Sequence, residues 1–151
     1  MIGFSLLEVT LVVAIFMVLL TATGMSLSSF FSSRQLETYS EEVLQSLRQA
    51  QAYAMARYED SAWGVYFDEP KSTWTLFKGN NFATRDPALD ELTTLPASLS
   101  FKNRAFHNGG SEIDFKKISG ETGYVESVTL HETGGKNVIF NINPYGQIEM
   151  E

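Results

Sequence analysis

Few side chains in this 151-residue chain could perform chemistry. It has two histidines, His107 and His131, and no cysteine, which excludes a thiol nucleophile, a disulfide framework and a Cys-ligated metal site. The sequence contains no G-x-S-x-G, H-E-x-x-H or P-loop pattern, so neither histidine has a recognisable set of catalytic partners. We therefore predict that the protein is not an enzyme and needs no cofactor.

One acidic segment offers oxygen atoms of the kind that calcium binds. Its three candidate ligands are Asp86, Asp90 and Glu91. The segment lacks the spacing of an EF-hand, and surface loops are commonly acidic. We therefore predict that these residues belong to an ordinary loop and hold no metal.

The charge balance bears on nucleic acid as a partner. With 18 acidic and 11 basic residues, the formal net charge is −7. Binding to a phosphate backbone relies on cationic contacts, and the local pair Lys116-Lys117 is too small to overcome the surrounding negative charge. We predict that the protein does not bind nucleic acid.

Glu8 is the only charged residue before Arg34, and it lies in a long apolar run. A helix over 4–31 would be about 42 Å long, whereas the hydrocarbon core of a bilayer is about 30 Å thick. This predicts a membrane-spanning helix. A carboxylate at bilayer depth needs a partner, so Glu8 either meets a cation from another chain or a chain terminus, or lies in the hydrated headgroup zone.

A secretory signal peptide is the alternative interpretation of the same run. Its apolar region would cover about 7–15 residues, follow basic residues and precede a site of small residues. Here the run is longer, no basic residue precedes it, and Ala22-Thr23-Gly24 forms only a weak site. The membrane helix is therefore the favoured interpretation.

The nine residues from Gly3 to Leu11, GFSLLEVTL, resemble the class III signal of type IV pilins and pseudopilins. The resemblance implies that a prepilin peptidase cleaves after Gly3 and methylates the new amino terminus at Phe4. Glu8 would then be the fifth residue of the mature chain. The leader, residues 1–3, departs from the family because it carries no basic residue.

The same resemblance implies how Glu8 acquires a partner. The free amino group of Phe4 in one subunit would be neutralised by Glu8 of a neighbour, which sets the register of stacked subunits. The implied partners are copies of this chain or other pilins and pseudopilins, the prepilin peptidase, an inner-membrane assembly platform and its ATPase. The implied location is the bacterial inner membrane, crossed once, and then an extracellular or periplasmic filament.

The pattern changes from uniformly apolar to amphipathic after Phe31. Apolar residues then recur at three- and four-residue spacing, which predicts that one helix continues over 32–58. They are Leu36, Tyr39, Val43, Leu47, Ala50 and Ala54. A continuous helix over 4–58 would be about 80 Å long. Gly24 is its predicted soft spot, because glycine weakens a helix interior by about 1 kcal/mol.

Residues 59–151 are predicted to form an antiparallel β head. Alternation predicts a hairpin from 61–68 and 73–78, and a loop over 79–92. Further strands are predicted at 95–101, 113–118, 124–131, 136–143 and 147–151. The fold class is therefore α+β, one long helix packed on antiparallel sheet. Its layout is similar to that of minor pilins and H-type pseudopilins.

Four aromatic residues lie beside turn-forming residues of the predicted head: Phe82, Phe106, Tyr124 and Tyr145. They could form lateral subunit contacts or an adhesive face, although we expect at least half of them to fill the core. Two functions are consistent with the sequence as a whole. The first is a structural subunit of a type IV pilus or type II secretion-like pseudopilus, and the alternative is a monomeric, signal-anchored extracytoplasmic binding domain.

Overall fold

One helix dominates the computed structural model, which describes residues 5–151, apart from the side chains of 21–31, 103 and 108. Helix α1, Leu6–Met55, begins after the extended residue Ser5 and ends at Ala56. Arg57 then adopts a left-handed backbone conformation, with φ 55°, which stops the helix. At 1.5 Å per residue α1 is about 75 Å long, and its backbone is helical through Gly24.

The head consists of eight strands and four 3₁₀ turns. In chain order the strands are β1 Trp63–Asp68, β2 Thr73–Lys78, β3 Glu91–Thr94, β4 Leu99–Ala105, β5 Glu112–Phe115, β6 Glu126–Glu132, β7 Asn137–Ile142 and β8 Ile148–Met150. They form two four-stranded antiparallel sheets. Sheet A has the order β3-β2-β1-β5, and sheet B has the order β4-β6-β7-β8.

The α+β class and the antiparallel pairing predicted from the sequence are confirmed. The division of the strands between two sheets was not predicted. The strand predicted at 95–101 begins later in the structure, at Leu99. Leu95 instead donates its N–H to the Ser72 carbonyl, and the chain turns at Pro96 before β4 begins. The predicted loop over 79–92 ends sooner than expected, because Glu91–Thr94 pairs with β2 as an edge strand.

The core lies between the second half of α1 and the inner faces of both sheets. The predicted apolar stripe of the helix is buried from Leu36 to Ala54, except that Tyr39 is only partly buried. Sheet A presents Trp63, Val65 and Phe67 to this core, and sheet B contributes β6, β7 and β4 side chains. The buried core residues of sheet B are Leu99, Phe101, Val128, Leu130, Phe140 and Ile142.

Residues 6–20 of α1 have no such cover. Their large apolar side chains between Leu6 and Leu20 are all exposed. Among the residues whose side chains the structure describes, however, no stretch of helix is both long and apolar enough to cross a membrane. The predicted membrane span over 4–31 includes residue 4 and the side chains of 21–31, which lie outside the described residues, so it stays a prediction.

Candidate assembly surface

Residues 6–20 of α1 place apolar side chains on every side of the helix, and Glu8 and Thr10 are the polar residues among them. The exposed fraction of their large apolar side chains runs from 47% at Val12 to 83% at Leu6. Monomeric soluble proteins rarely leave contiguous apolar surface of this extent in water. A helix that is apolar all round is normally buried in a protein core or in lipid. We name the surface of residues 6–20 the apolar stem.

Glu8 is the single ionisable side chain of the apolar stem, and it is exposed. It lies in the first turn of α1, where its backbone N–H donates to the Ser5 carbonyl at 3.0 Å. The nearby Thr10 hydroxyl donates to the Leu7 carbonyl at 2.9 Å. A carboxylate near a helix N-terminus is favoured by the helix dipole. Gly3 and Phe4, the predicted processing residues, lie outside the described residues.

The second half of α1 is fixed to the head by polar contacts as well as by packing. The Gln51 side-chain amide donates to the carbonyls of Gly120 and Gly146 at 3.0 and 2.8 Å. Gly146 has φ 82°, and a Cβ atom there would run into the Gly120 carbonyl. The Trp74 indole N–H donates to the Ser46 hydroxyl at 2.9 Å. These contacts join the second half of α1 to sheet A and to the loops around Gly120 and Gly146.

The structure places the two histidines in separate surroundings. The His107 ring stacks on Tyr124, with ring centroids 3.3 Å apart. His131 shares a hydrogen bond of 2.6 Å between its Nδ1 and Asn137 Oδ1 at the β6–β7 pairing. Each ring thus contacts a different residue from another segment of the chain, and the two histidines share no partner.

The acidic segment has local structural contacts. Asp86 accepts a hydrogen bond from the Ala88 N–H at 3.1 Å and caps a 3₁₀ turn. Asp90 Oδ2 lies 2.7 Å from Arg85 Nε, and Glu91 is exposed at the start of β3. Within the part of the chain that the structure describes, no three His, Cys, Asp or Glu residues are arranged to hold a metal ion.

A buried carboxyl group in the head was missed by the sequence reasoning. Glu126, on β6, is 3% exposed, and its Oε2 has no hydrogen-bond partner among the described residues. The pKa of Glu126 is raised to about 8, chiefly because the group is buried; the negative charges of Asp114 and Glu112 contribute to the rise, and the His107 backbone N–H opposes it. Burial also raises the pKa of Asp114.

Strand alternation carried the signal for this burial. Glu126 has the same parity as Val128 and Leu130 on the predicted strand 124–131, so it belongs to the core-facing side.

Of the four aromatic residues beside turns, two are at least partly buried and two are exposed. Phe106 is buried against Phe67, with ring centroids 5.8 Å apart, and Phe82 is partly buried on Tyr66. Tyr124 and Tyr145 are exposed.

Comparison with known proteins identifies a similar solved structure. The minor pseudopilin EpsH from the type 2 secretion system of Vibrio cholerae matches 78% of this chain and 96% of its own, with a TM-score of 0.59 and 13% sequence identity. No family model matches the sequence, and no curated protein matches it significantly. The likeness confirms the predicted pilin-like fold, a long N-terminal helix packed on an antiparallel β head.

Proposed function

We propose that this chain is a structural, non-enzymatic subunit of a pilus-like filament, either a type IV pilus or a type II secretion-like pseudopilus. The observation that carries the proposal is the apolar stem, which projects from a folded head and exposes every large apolar side chain from Leu6 to Leu20. The pseudopilin-like fold supports the same role.

Lateral contact between stems would bury this surface. Burying one large apolar side chain stabilises a protein by about 1.5–3 kcal/mol. Twelve such side chains lie between Leu6 and Leu20, so exposing the stem to water is strongly unfavourable and the stem must be covered by lipid or by neighbouring stems. Before assembly, the stem would be held at the bacterial inner membrane, and afterwards the filament would lie in the periplasm or outside the cell.

Glu8 would set the register of the bundle. Stems that are apolar on every side can slide past one another with little change in buried area, so their packing alone specifies register weakly. A buried carboxylate is tolerated only where it meets a cation, and removing one member of a buried pair costs about 3–5 kcal/mol. The proposed cation is the amino group of Phe4 in a neighbouring subunit, created by cleavage after Gly3 and then methylated.

The decisive experiment compares Glu8→Ala with Glu41→Ala in cells that contain the assembly machinery. Glu41 is a matched control because it is an exposed glutamate on the same helix, within the head. We expect Glu8→Ala to lower the sheared filament fraction at least tenfold, since 1.4 kcal/mol already corresponds to a factor of ten, and Glu41→Ala to leave it unchanged. Equal filament yields for Glu8→Ala and the wild type would refute the register role.

Intact-mass measurement separates this proposal from a monomeric, signal-anchored binding domain. Loss of residues 1–3 together with a gain of about 14 Da at Phe4 supports processing by a prepilin peptidase. An uncut amino terminus, or a cut near Gly24, supports the monomeric alternative. The measurement requires protein isolated from cells with the native membrane machinery.

A further inference from the structure

The outer face of sheet A carries an open cleft. Alternation along β1 directs Trp63, Val65 and Phe67 to the core, so Tyr66 and Asp68 lie on the face opposite α1. Residues 79–90 cover part of this face. The cleft beside them has a volume of about 350 Å³, at the low end of the range of about 300–1,000 Å³ for small-molecule sites.

The covering segment is held in place, so the cleft has a defined wall. The Phe82 ring stacks on Tyr66 with ring centroids 3.8 Å apart. The Phe82 backbone N–H donates to Glu112 Oε2 at 2.7 Å. The Arg85 guanidinium lies 3.7 Å from the centre of the same Phe82 ring. The first two contacts therefore fix this segment against β1 and β5, and the third lies within the segment.

The lining contains hydroxyl groups that the described hydrogen bonds leave unused. Thr73 and Thr75 lie on β2, and Tyr66 is directly opposite Thr75 on β1. Among the described residues, no hydrogen bond involves the hydroxyl of any of these three side chains. Each hydroxyl can both donate and accept. The cleft thus offers polar groups of either kind at neighbouring positions of a rigid sheet.

Each charged side chain of the cleft has an opposite charge beside it, and the remaining oxygen of Asp90, Oδ1, is buried without a hydrogen-bond partner among the described residues. Lys71 Nζ lies 3.0 Å from Asp68 Oδ2, and Arg85 Nε lies 2.7 Å from Asp90 Oδ2. Two cations and two anions leave the lining with no net charge. The pairs do not exhaust the donors, because Arg85 carries five N–H groups and one more of them donates to the Phe82 carbonyl at 2.9 Å.

We propose that this cleft binds a neutral saccharide. A charged ligand would have to compete with the two internal ion pairs. A purely apolar ligand would leave the hydroxyls without partners, and an unpaired buried polar group costs about 1–3 kcal/mol. A saccharide supplies hydroxyls that donate and accept, and its C–H faces match the apolar parts of Tyr66 and Leu92.

The position of the cleft makes this role independent of filament assembly. It lies on the side of sheet A away from α1, so burying the apolar stem in a bundle leaves it accessible. A saccharide site would let the head attach to a sugar surface whether or not the chain polymerises. The saccharide-binding test can therefore fail while the filament proposal stands, and the filament test can fail while the saccharide proposal stands.

The test is a titration of the full-length ¹⁵N-labelled chain in a zwitterionic detergent that contains no sugar. The probes are maltose, cellobiose, lactose and chitobiose. We expect at least one of them to produce saturable amide shifts confined to 66–75 and 82–92. An absence of saturable shifts with all four at tens of millimolar would overturn the proposal. A glutamate dipeptide and a lysine dipeptide serve as charged comparison ligands. If one of these dipeptides shifted the same amides and none of the four disaccharides did, the proposal would also be overturned.

Two variants remove a hydroxyl and keep the shape of the side chain. Tyr66→Phe preserves the stack on Phe82, and Thr75→Val preserves the branched strand residue. One neutral hydrogen bond contributes about 0.5–1.5 kcal/mol, so each variant should weaken binding about three- to tenfold. The control, Tyr145→Phe, alters an exposed tyrosine outside the cleft. Unchanged affinity in both variants, with native-like amide spectra, would refute the site.

Discussion

The two halves of α1 belong to one helix but meet different surroundings. Between Leu36 and Ala54 the apolar residues form a stripe, and the head covers it. Between Leu6 and Leu20 they surround the axis, and their side chains remain exposed. A stripe can be satisfied by one packed head, whereas an all-round apolar surface needs neighbours on several sides. The second half therefore serves folding of the head, whereas residues 6–20 are the part to which the proposed function assigns association between subunits.

The largest expected effect is on the free energy of unfolding, and it compares a variant in each part of α1. Leu47 is fully buried, and Leu47→Ala should lower the free energy of unfolding of the head by about 2–5 kcal/mol. Leu11 is 58% exposed, and Leu11→Ala should change it by less than about 0.5 kcal/mol. Chemical denaturation of the full chain, followed by Trp fluorescence, measures both. Similar losses in the two variants would show that the stem contributes to folding of the head.

A second contrast sets the exposed Glu8 against the buried Glu126. The folded-state pKa of Glu126 is about 8, whereas its ordinary value is 4.5. Between these two values the unfolded chain has lost the proton and the folded chain retains it, so stability falls as pH rises through this window. The neighbouring charges of Asp114 and Glu112 reinforce the shift, and His107 contributes its backbone N–H.

Glu126→Gln should therefore flatten the decline in melting temperature between pH 5 and pH 9, and its advantage over the wild type should be greatest at the upper end. Glu8→Gln is the matched control. It should leave the pH profile of the unassembled chain unchanged, because Glu8 lies outside the folded head. If the wild type and Glu126→Gln lose stability in parallel as the pH rises, a group other than Glu126 retains the proton in the folded chain.

A smaller effect is expected at the hydrogen bonds that join Gln51 of α1 to the head. Gln51→Ala leaves the Gly120 and Gly146 carbonyls without their side-chain donor, at a cost of about 1–3 kcal/mol. Gln45→Ala, at an exposed position of the same helix, should cost less than about 0.5 kcal/mol. Thermal melting compares the two. Equal melting temperatures would show that packing alone fixes the helix to the head.

Much of the fold was predictable because its signals are local. The β1–β2 hairpin follows from alternation on either side of Pro70, and α1 follows from its unbroken apolar pattern. The edge strand Glu91–Thr94 was not predicted, because its polar residues show no clear alternation and it exists only through pairing with β2. The cleft was missed for a similar reason, since its residues come from β1, the β1–β2 turn, β2, β3 and the segment over 79–90.

The candidate assembly surface was easier to predict from the sequence than the features of the head. Glu8 and the apolar run around it are adjacent in the chain, and the structure shows their side chains exposed on one helix. Cleavage after Gly3, methylation of Phe4 and the pairing of Phe4 with Glu8 remain predictions. The burial of Glu126 was available from parity on its strand, but only once that strand was known to face a core.

By itself, the sequence determined the long helix, the point near Phe31 where its apolar surface narrows to a stripe, and the antiparallel character of the head. Each of these depends on residues a few positions apart. Only the tertiary structure decided that eight strands divide into two sheets and that a carboxyl group is buried in sheet B. Such features depend on pairings such as β1 with β5, between segments distant in the chain, whose register no local pattern specifies.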